Sequence, residues 1–161
     1  MKKVIVIGCP GGGKSTFSRK LRDKTGLPLY HLDRIWHKPD KSHITQEAFD
    51  RALKDILSTE HWIIDGNYGR TIELRLQACD TVFFLDLPTE VCLEGARARV
   101  GLKREDMPWV EEELDEEFAA FIRDFADCEK PRIYELFAAY PDKAVVILRS
   151  HKETERYLKQ L

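Results

Sequence analysis

The chain has 161 residues, 34% of them charged, and a formal net charge of −2 at pH 7. That length suits one domain with a core of its own, residues 1–161. The near-neutral charge argues against direct nucleic-acid binding, which calls for a basic face. No apolar run approaches the ~18 residues of a membrane span. The opening "MKKVIVIGCPG" has too short an apolar run for a signal peptide, with no small-residue cleavage site behind it. Cys9, Cys79, Cys92 and Cys128 form neither a C-x-x-C pair nor a zinc spacing. A reduced, cytoplasmic protein without structural metal or membrane attachment is expected.

In chain order, the β-branched run from Lys3 to Ile7 predicts a buried strand. Ser15 to Lys24 reads as a helix, with Gly26 as its stop. "LPLYHLD" predicts a second strand ending near Asp33, and "RIWHKPDKSH" a polar loop bearing aromatic residues. Apolar pairs from Ile44 to Ser58 recur at helical spacing. "HWIIDGNYGR" predicts a short strand breaking at Asp65-Gly66, and "DTVFFLDLP" a strong strand halted by Pro88. Helices are expected over Val91 to Val100, around Leu114 to Phe125, and from Ile133 to Tyr140. The charged stretch "GLKREDMPWVEEELDEE" between the first two has no strong period. "KAVVILRS" predicts a last buried strand, and Ser150 to Glu153 a capping box for a final helix. Short apolar strands alternating with helices indicate an α/β fold whose parallel sheet is covered on both faces. Ligands of such sheets sit outside the strands' carboxyl ends, where Gly8 to Ser15, Asp33, Asp65 to Tyr68, Asp86 and Arg149 all fall.

The segment "GCPGGGKS", from Gly8 to Ser15, matches G-x-x-x-x-G-K-[ST] between a strand and a helix. Wrapping backbone N–H groups around a phosphate needs positive φ values that glycine adopts cheaply. The helix that follows adds its unpaired N–H groups and dipole. Gly8, Pro10, Gly11, Gly12 and Gly13 would form the cradle. Lys14 would reach the β- and γ-phosphates, Ser15 would suit Mg²⁺, and Thr16 would bond the α-phosphate. The proline at position 10 breaks the dinucleotide pattern G-x-G-x-x-G, so a nucleoside triphosphate is indicated rather than NAD. Cys9 is either a small filler or a thiol made acidic by the helix N-terminus.

With "LYHLDRIWHKP", "WIIDGNYGRT", "VFFLDLP" and the arginines of "RARVGLKREDM", the loop resembles that of nucleoside-monophosphate-kinase-like P-loop kinases. Within that group the chain is similar to the adenylate-kinase-related topology modulation (FlaR-like) proteins. The resemblance implies an ATP- and Mg²⁺-dependent phosphotransferase, a three-layer P-loop fold with strand order 2-3-1-4-5, and a short helical lid over roughly residues 97–125. It puts Asp65 at the "DG" aspartate that holds Mg²⁺ opposite Ser15; the alternative is an ordinary Asp-Gly turn. Asp33 either orients an acceptor hydroxyl or caps a helix and pairs with Arg34. Arg70 resembles the arginine that grips an acceptor phosphate, with Tyr68 beside it in the acceptor pocket. Trp36, His37 and Tyr68 either stack on an acceptor ring or cover core edges. Of the lid cations, Arg97 and Arg104 are expected to face the transferred phosphoryl group; a solvated helix face explains the same charge run. Arg97 and Arg99 lie about 160° apart on a helix, so one of them faces the nucleotide. The chain departs from the family in carrying Pro108-Trp109-Val110 soon after Asp106-Met107. Arg149 either contacts the adenine ring or merely precedes the Ser150 cap. The partners implied are ATP, ADP and a small phosphoryl acceptor. The competing readings are a nucleotide-binding regulator with little or no turnover and a bare NTPase.

Overall fold

A computed structural model describes all residues, 1–161. Three strands form its centre: β1 (Lys3–Gly8), β3 (Trp62–Asp65) and β4 (Thr81–Leu85). Their apolar residues are essentially without solvent exposure, because a parallel strand between two helical layers has no wet face. With β2 (Leu29–His31) and β5 (Ala144–Leu148) they make one parallel sheet of order β2-β3-β1-β4-β5, as the resemblance implies. The register sets Asp65 beside both Val6 and His31, so these polar side chains gather at one carboxyl edge.

Two adjacent residues show how the layers are built. Phe83 packs 5.0 Å from Phe17 of α1 (Lys14–Thr25) and 5.0 Å from Tyr157 of α8 (His151–Gln160). Phe84 turns to the other face, against Tyr134 and Phe137 of α7 (Lys130–Ala139). This is the period-two alternation of a strand. The remaining helices are α2 (Leu32–Trp36), α3 (Gln46–Leu57), α4 (Gly69–Ala78), α5 (Thr89–Arg99) and α6 (Glu116–Cys128). No helix is long and apolar enough to cross a membrane.

Three expectations change. The loop predicted after Asp33 begins as α2, where Leu32, Ile35 and Trp36 recur at helical spacing, so Asp33 sits in a helical first turn. The last strand is an edge: β5 has only β4 beside it, and its residues run from exposed Ala144 through three half-buried positions to buried Leu148. Of the span 97–125, residues 97–99 and 116–125 are helical, whereas 100–115 are irregular.

Candidate active site at the carboxyl edge of the sheet

The loop from Gly8 to Ser15 leaves β1 and turns into α1 through Gly13, whose φ of 90° is a left-handed helix cap. Packing holds the loop from behind. A Cβ added at Gly95 of α5 would lie 2.0 Å from the Gly11 carbonyl oxygen, so a side chain at either position would push the loop off the helix. From the side, the Asn67 amide accepts from the Gly8 N–H at 3.0 Å and donates to the Gly8 carbonyl at 2.7 Å. Asn67 is itself fixed by Arg75, a fully buried side chain without a carboxylate partner. Arg75 donates to the Gly66 carbonyl at 2.8 Å, to the Asn67 carbonyl, and to the Thr71 hydroxyl at 3.1 Å. Burial pushes its pKa down to about 9, against the pull of Asp65.

A cleft of about 1130 Å³ opens in front of this loop. Pro10, Gly11, Gly13, Lys14, Ser15 and Thr16 of the loop line it, together with Asp33, His37 and Asp65 to Tyr68. Residues of the segment 99–121 close the remaining side. Lys14 makes no ion pair and donates only to the Cys9 carbonyl, at 3.4 Å. Burial pushes its pKa down; Asp65 opposes this, Arg99 adds to it, and Asp33 opposes it more weakly. A desolvated ammonium among backbone N–H groups is poised for a polyphosphate.

The Asp65 carboxylate is buried and takes a 2.7 Å hydrogen bond from His31 Nδ1 on one oxygen. Its other oxygen, Oδ1, is buried without a partner. A buried orphan acceptor calls for a ligand, because the desolvation cost is otherwise uncompensated. Ser15 Oγ accepts from Arg19 at 2.9 Å, and a hydroxyl keeps a second lone pair. This hard-oxygen pair on the cleft fits Mg²⁺.

Asp33 Oδ1 accepts from the Tyr68 hydroxyl at 2.7 Å. Tyr68 holds a left-handed backbone, φ 42°, unusual for an aromatic residue and of the kind that gathers at functional sites. Burial first, then the Asp33 charge, pushes its phenol pKa up, so it remains a donor. Trp36 stacks on His43, Tyr68 packs on Phe49, and His37 meets Trp109 edge-on. Much of the expected aromatic surface is thus engaged within the protein.

At the end of α5, the arginine phase is the reverse of the expectation. Arg97 is exposed and outside the cleft, whereas Arg99 lines it. Arg99 Nε is buried without a partner, and the guanidinium lies 5.9 Å from the centre of the Phe118 ring. Burial and then nearby Arg104 push its pKa down. Arg104 does line the cleft, held by Glu111 at 3.2 Å and Asp106 at 3.7 Å. Two further placements differ. Arg70 does not line the cleft; both its terminal nitrogens engage Asp50 of α3, at 2.6 and 3.2 Å. Arg149 is exposed and outside the cleft, and His151 lines it instead, 3.5 Å from where a Gly13 Cβ would stand. Ser150 caps α8 by accepting from Glu153 N–H, while the Glu153 carboxylate returns to the Arg149 N–H. Cys9 is buried filler: the neighbouring Cys92 thiol and burial push its pKa up, against the acidic alternative.

Gly95, Arg75, His31 and Arg99's place in the cleft were not read from the sequence, and Asn67 was read only as a residue of the carboxyl edge, without its hold on Gly8. Gly95 alone carried a local signal, a glycine inside a helical pattern, which often marks close backbone approach.

No family model matches the chain. Two adenylate kinase sequences from Thermotoga neapolitana are each 25% identical to it over 88 residues, 53% of this chain. The match spans 39% of their length. The shikimate kinase from Acinetobacter baumannii, solved in complex with shikimate, superposes with a TM-score of 0.62. That alignment covers 99% of this chain and 90% of the other at 15% identity. The fold is a three-layer P-loop fold.

Proposed function

We propose that the chain transfers the γ-phosphoryl group of ATP to a small acceptor in the cytoplasm. In this reading residues 1–161 work as one kinase domain, with 97–125 as its lid. One observation carries it: two desolvated cations without carboxylate partners, Lys14 and Arg99, share a cleft with the carboxylates Asp33 and Asp65. Such an arrangement lacks a polyanion on one side and has hydroxyl- and metal-binding oxygens on the other. Gly8, Pro10 and Gly11 to Gly13 would cradle the phosphates, with Thr16 on the α-phosphate. Ser15 Oγ and Asp65 Oδ1 are the oxygens that would hold Mg²⁺, which when bound offsets charge on the β- and γ-phosphates. Lys14 and Arg99, with Arg104 beside them, would stabilise the charge that spreads over the transferring group. Asp33, held by Tyr68, would orient the acceptor. His151 takes the position proposed from sequence for Arg149, at the nucleotide end.

The short free thiols agree with a reducing compartment: Cys9, Cys79 and Cys92 are buried and unpaired. The resemblance to topology modulation proteins supports the adenylate-kinase-related subtype. The test is ADP release from Mg·ATP over a panel of nucleotides, nucleosides and sugars. Stimulation by an acceptor, lost in Lys14→Ala, is the expected result. Tight binding of intact ATP with no acceptor stimulation would favour a nucleotide-binding regulator instead.

A further inference from the structure

Resting on the phosphotransferase reading above, we infer that the acceptor is a hydroxyl compound without a phosphate of its own, and that the product is a phosphomonoester. The groups that this reading gives to the acceptor are the carboxylates of Asp33 and Asp65 and the neutral phenol of Tyr68. Asp33 offers one oxygen to Tyr68 and leaves the other for a ligand; Asp65 stands nearby with Oδ1 unpartnered. The arginines on which a phosphorylated acceptor would depend are turned elsewhere. Arg70 is locked on Asp50 outside the cleft. Arg34 donates to the carbonyls of Glu105 and Met107 at 3.3 and 3.1 Å and opens on a different hollow. Of the other cations lining the cleft, Lys41 and Lys103 are exposed, Arg19 engages Ser15 and Glu105, and Arg104 is held by Glu111 and Asp106.

A phosphate dianion placed against Asp33 would meet like charge, and the cleft's guanidinium without a carboxylate partner, Arg99, is the one this reading assigns to the transferring phosphoryl group. A neutral hydroxyl would instead donate to the free Asp33 oxygen, in the cleft that Lys14 also lines. The acceptor oxygen then forms a bond to the γ-phosphorus as the bond from phosphorus to the β,γ-bridging oxygen breaks. The electron pair of the broken bond leaves with ADP, and the hydroxyl proton passes to the Asp33 carboxylate and on to solvent. Tyr68 holds that carboxylate in place by a hydrogen bond whose geometry its strained backbone fixes.

The decisive experiment incubates the protein with Mg·ATP and matched pairs of acceptors: adenosine and AMP, cytidine and CMP, ribose and ribose 5-phosphate. Phosphorus NMR separates a new phosphomonoester from a new phosphoanhydride. The expected result is phosphomonoester from a phosphate-free member, at least about tenfold faster than any transfer to its phosphorylated twin. Asp33→Asn should slow this by about 100-fold or more, the range of a lost proton acceptor, with Mg·ATP affinity within about threefold of wild type. Arg70→Ala should leave the rate unchanged. Phosphoanhydride formation from a monophosphate, faster than from its twin and lost in Arg70→Ala, would overturn the inference while leaving the phosphotransferase reading intact. Transfer to no member of any pair would remove that reading, and the inference with it.

Discussion

Replacing Gly95 with alanine tests how the phosphate loop is held. The new Cβ would stand 2.0 Å from the Gly11 carbonyl oxygen and 3.0 Å from its carbonyl carbon. Both atoms belong to backbone, so no flexible side chain can give way. Ordinary contact begins at 3.4 Å, so the loop and α5 must separate by about 1.4 Å. Overpacking of this kind costs about 1–3 kcal/mol, and alanine in place of glycine inside a helix returns about 1 kcal/mol. The net loss of stability is therefore small, a fall in Tm of a few degrees at about 2–4 °C per kcal/mol for a chain of this size. Nucleotide binding suffers more, because displacements of about 1 Å can cost on the order of 100-fold in a positioned site. Calorimetry with Mg·ATP, beside thermal unfolding of the free protein, separates the two effects. We expect affinity to fall by about 10- to 100-fold with Tm nearly kept. An affinity within about twofold of wild type would refute the idea that this glycine pair sets the loop's position.

Three further outcomes follow from the same geometry. Arg99→Ala should lower phosphoryl transfer by about 100- to 1000-fold, as loss of a transition-state donor does, while Arg97→Ala stays within about twofold; single-turnover rates decide between them. Arg75→Met should destabilise by about 1–3 kcal/mol, since the Gly66 and Asn67 carbonyls lose a buried donor; chemical denaturation measures it, and an increase in stability would contradict the role given to Arg75. Asp80 ties down the start of β1 by accepting from the N–H groups of Lys2 and Lys3, both at 2.8 Å. Burial opposes its charge, but the Thr81 hydroxyl and those N–H groups outweigh it and hold its pKa below the ordinary 3.8. A carboxylate with a depressed folded pKa stabilises above its unfolded value and loses that contribution as pH falls through its folded one. The stability gap between wild type and Asp80→Asn should therefore be open at neutral pH and close as pH falls below 3.8 and through the depressed folded pKa.

What was legible in the sequence, and what was not, follows from how local each signal is. The apolar runs of β1, β3 and β4 and the loop between β1 and α1 are contiguous, and glycine spacing reports their backbone directly. Helix phase is less forgiving. Arg97 and Arg99 are both plausible on charge alone, but α5 buries Cys92, Leu93 and Ala96, and that face brings Arg99 rather than Arg97 to the cleft. In α4 the buried face is Thr71, Ile72, Arg75 and Leu76. Arg70 lies about 140° around the helix from Arg75 and meets Asp50 of α3, a partner 20 residues away in sequence. Arg75 itself carries no sequence signal, since a long cation is by default a surface residue. Its partners are carbonyls that only the turn at Gly66 and Asn67 brings together. Asp33 was legible as a site residue but not as a helical one, because α2 is only 5 residues long and its apolar spacing overlaps a polar run.

The central claim is that the loop from Gly8 to Ser15, with Lys14 desolvated inside it, grasps the phosphates of a nucleoside triphosphate. Titration calorimetry of the intact protein with Mg·ATP, repeated on Lys14→Ala, tests it most directly. Saturable binding at one site per chain, weakened by about tenfold or more in the variant, is the predicted result. No heat of binding in the wild type, or equal affinity in both proteins, would contradict the account.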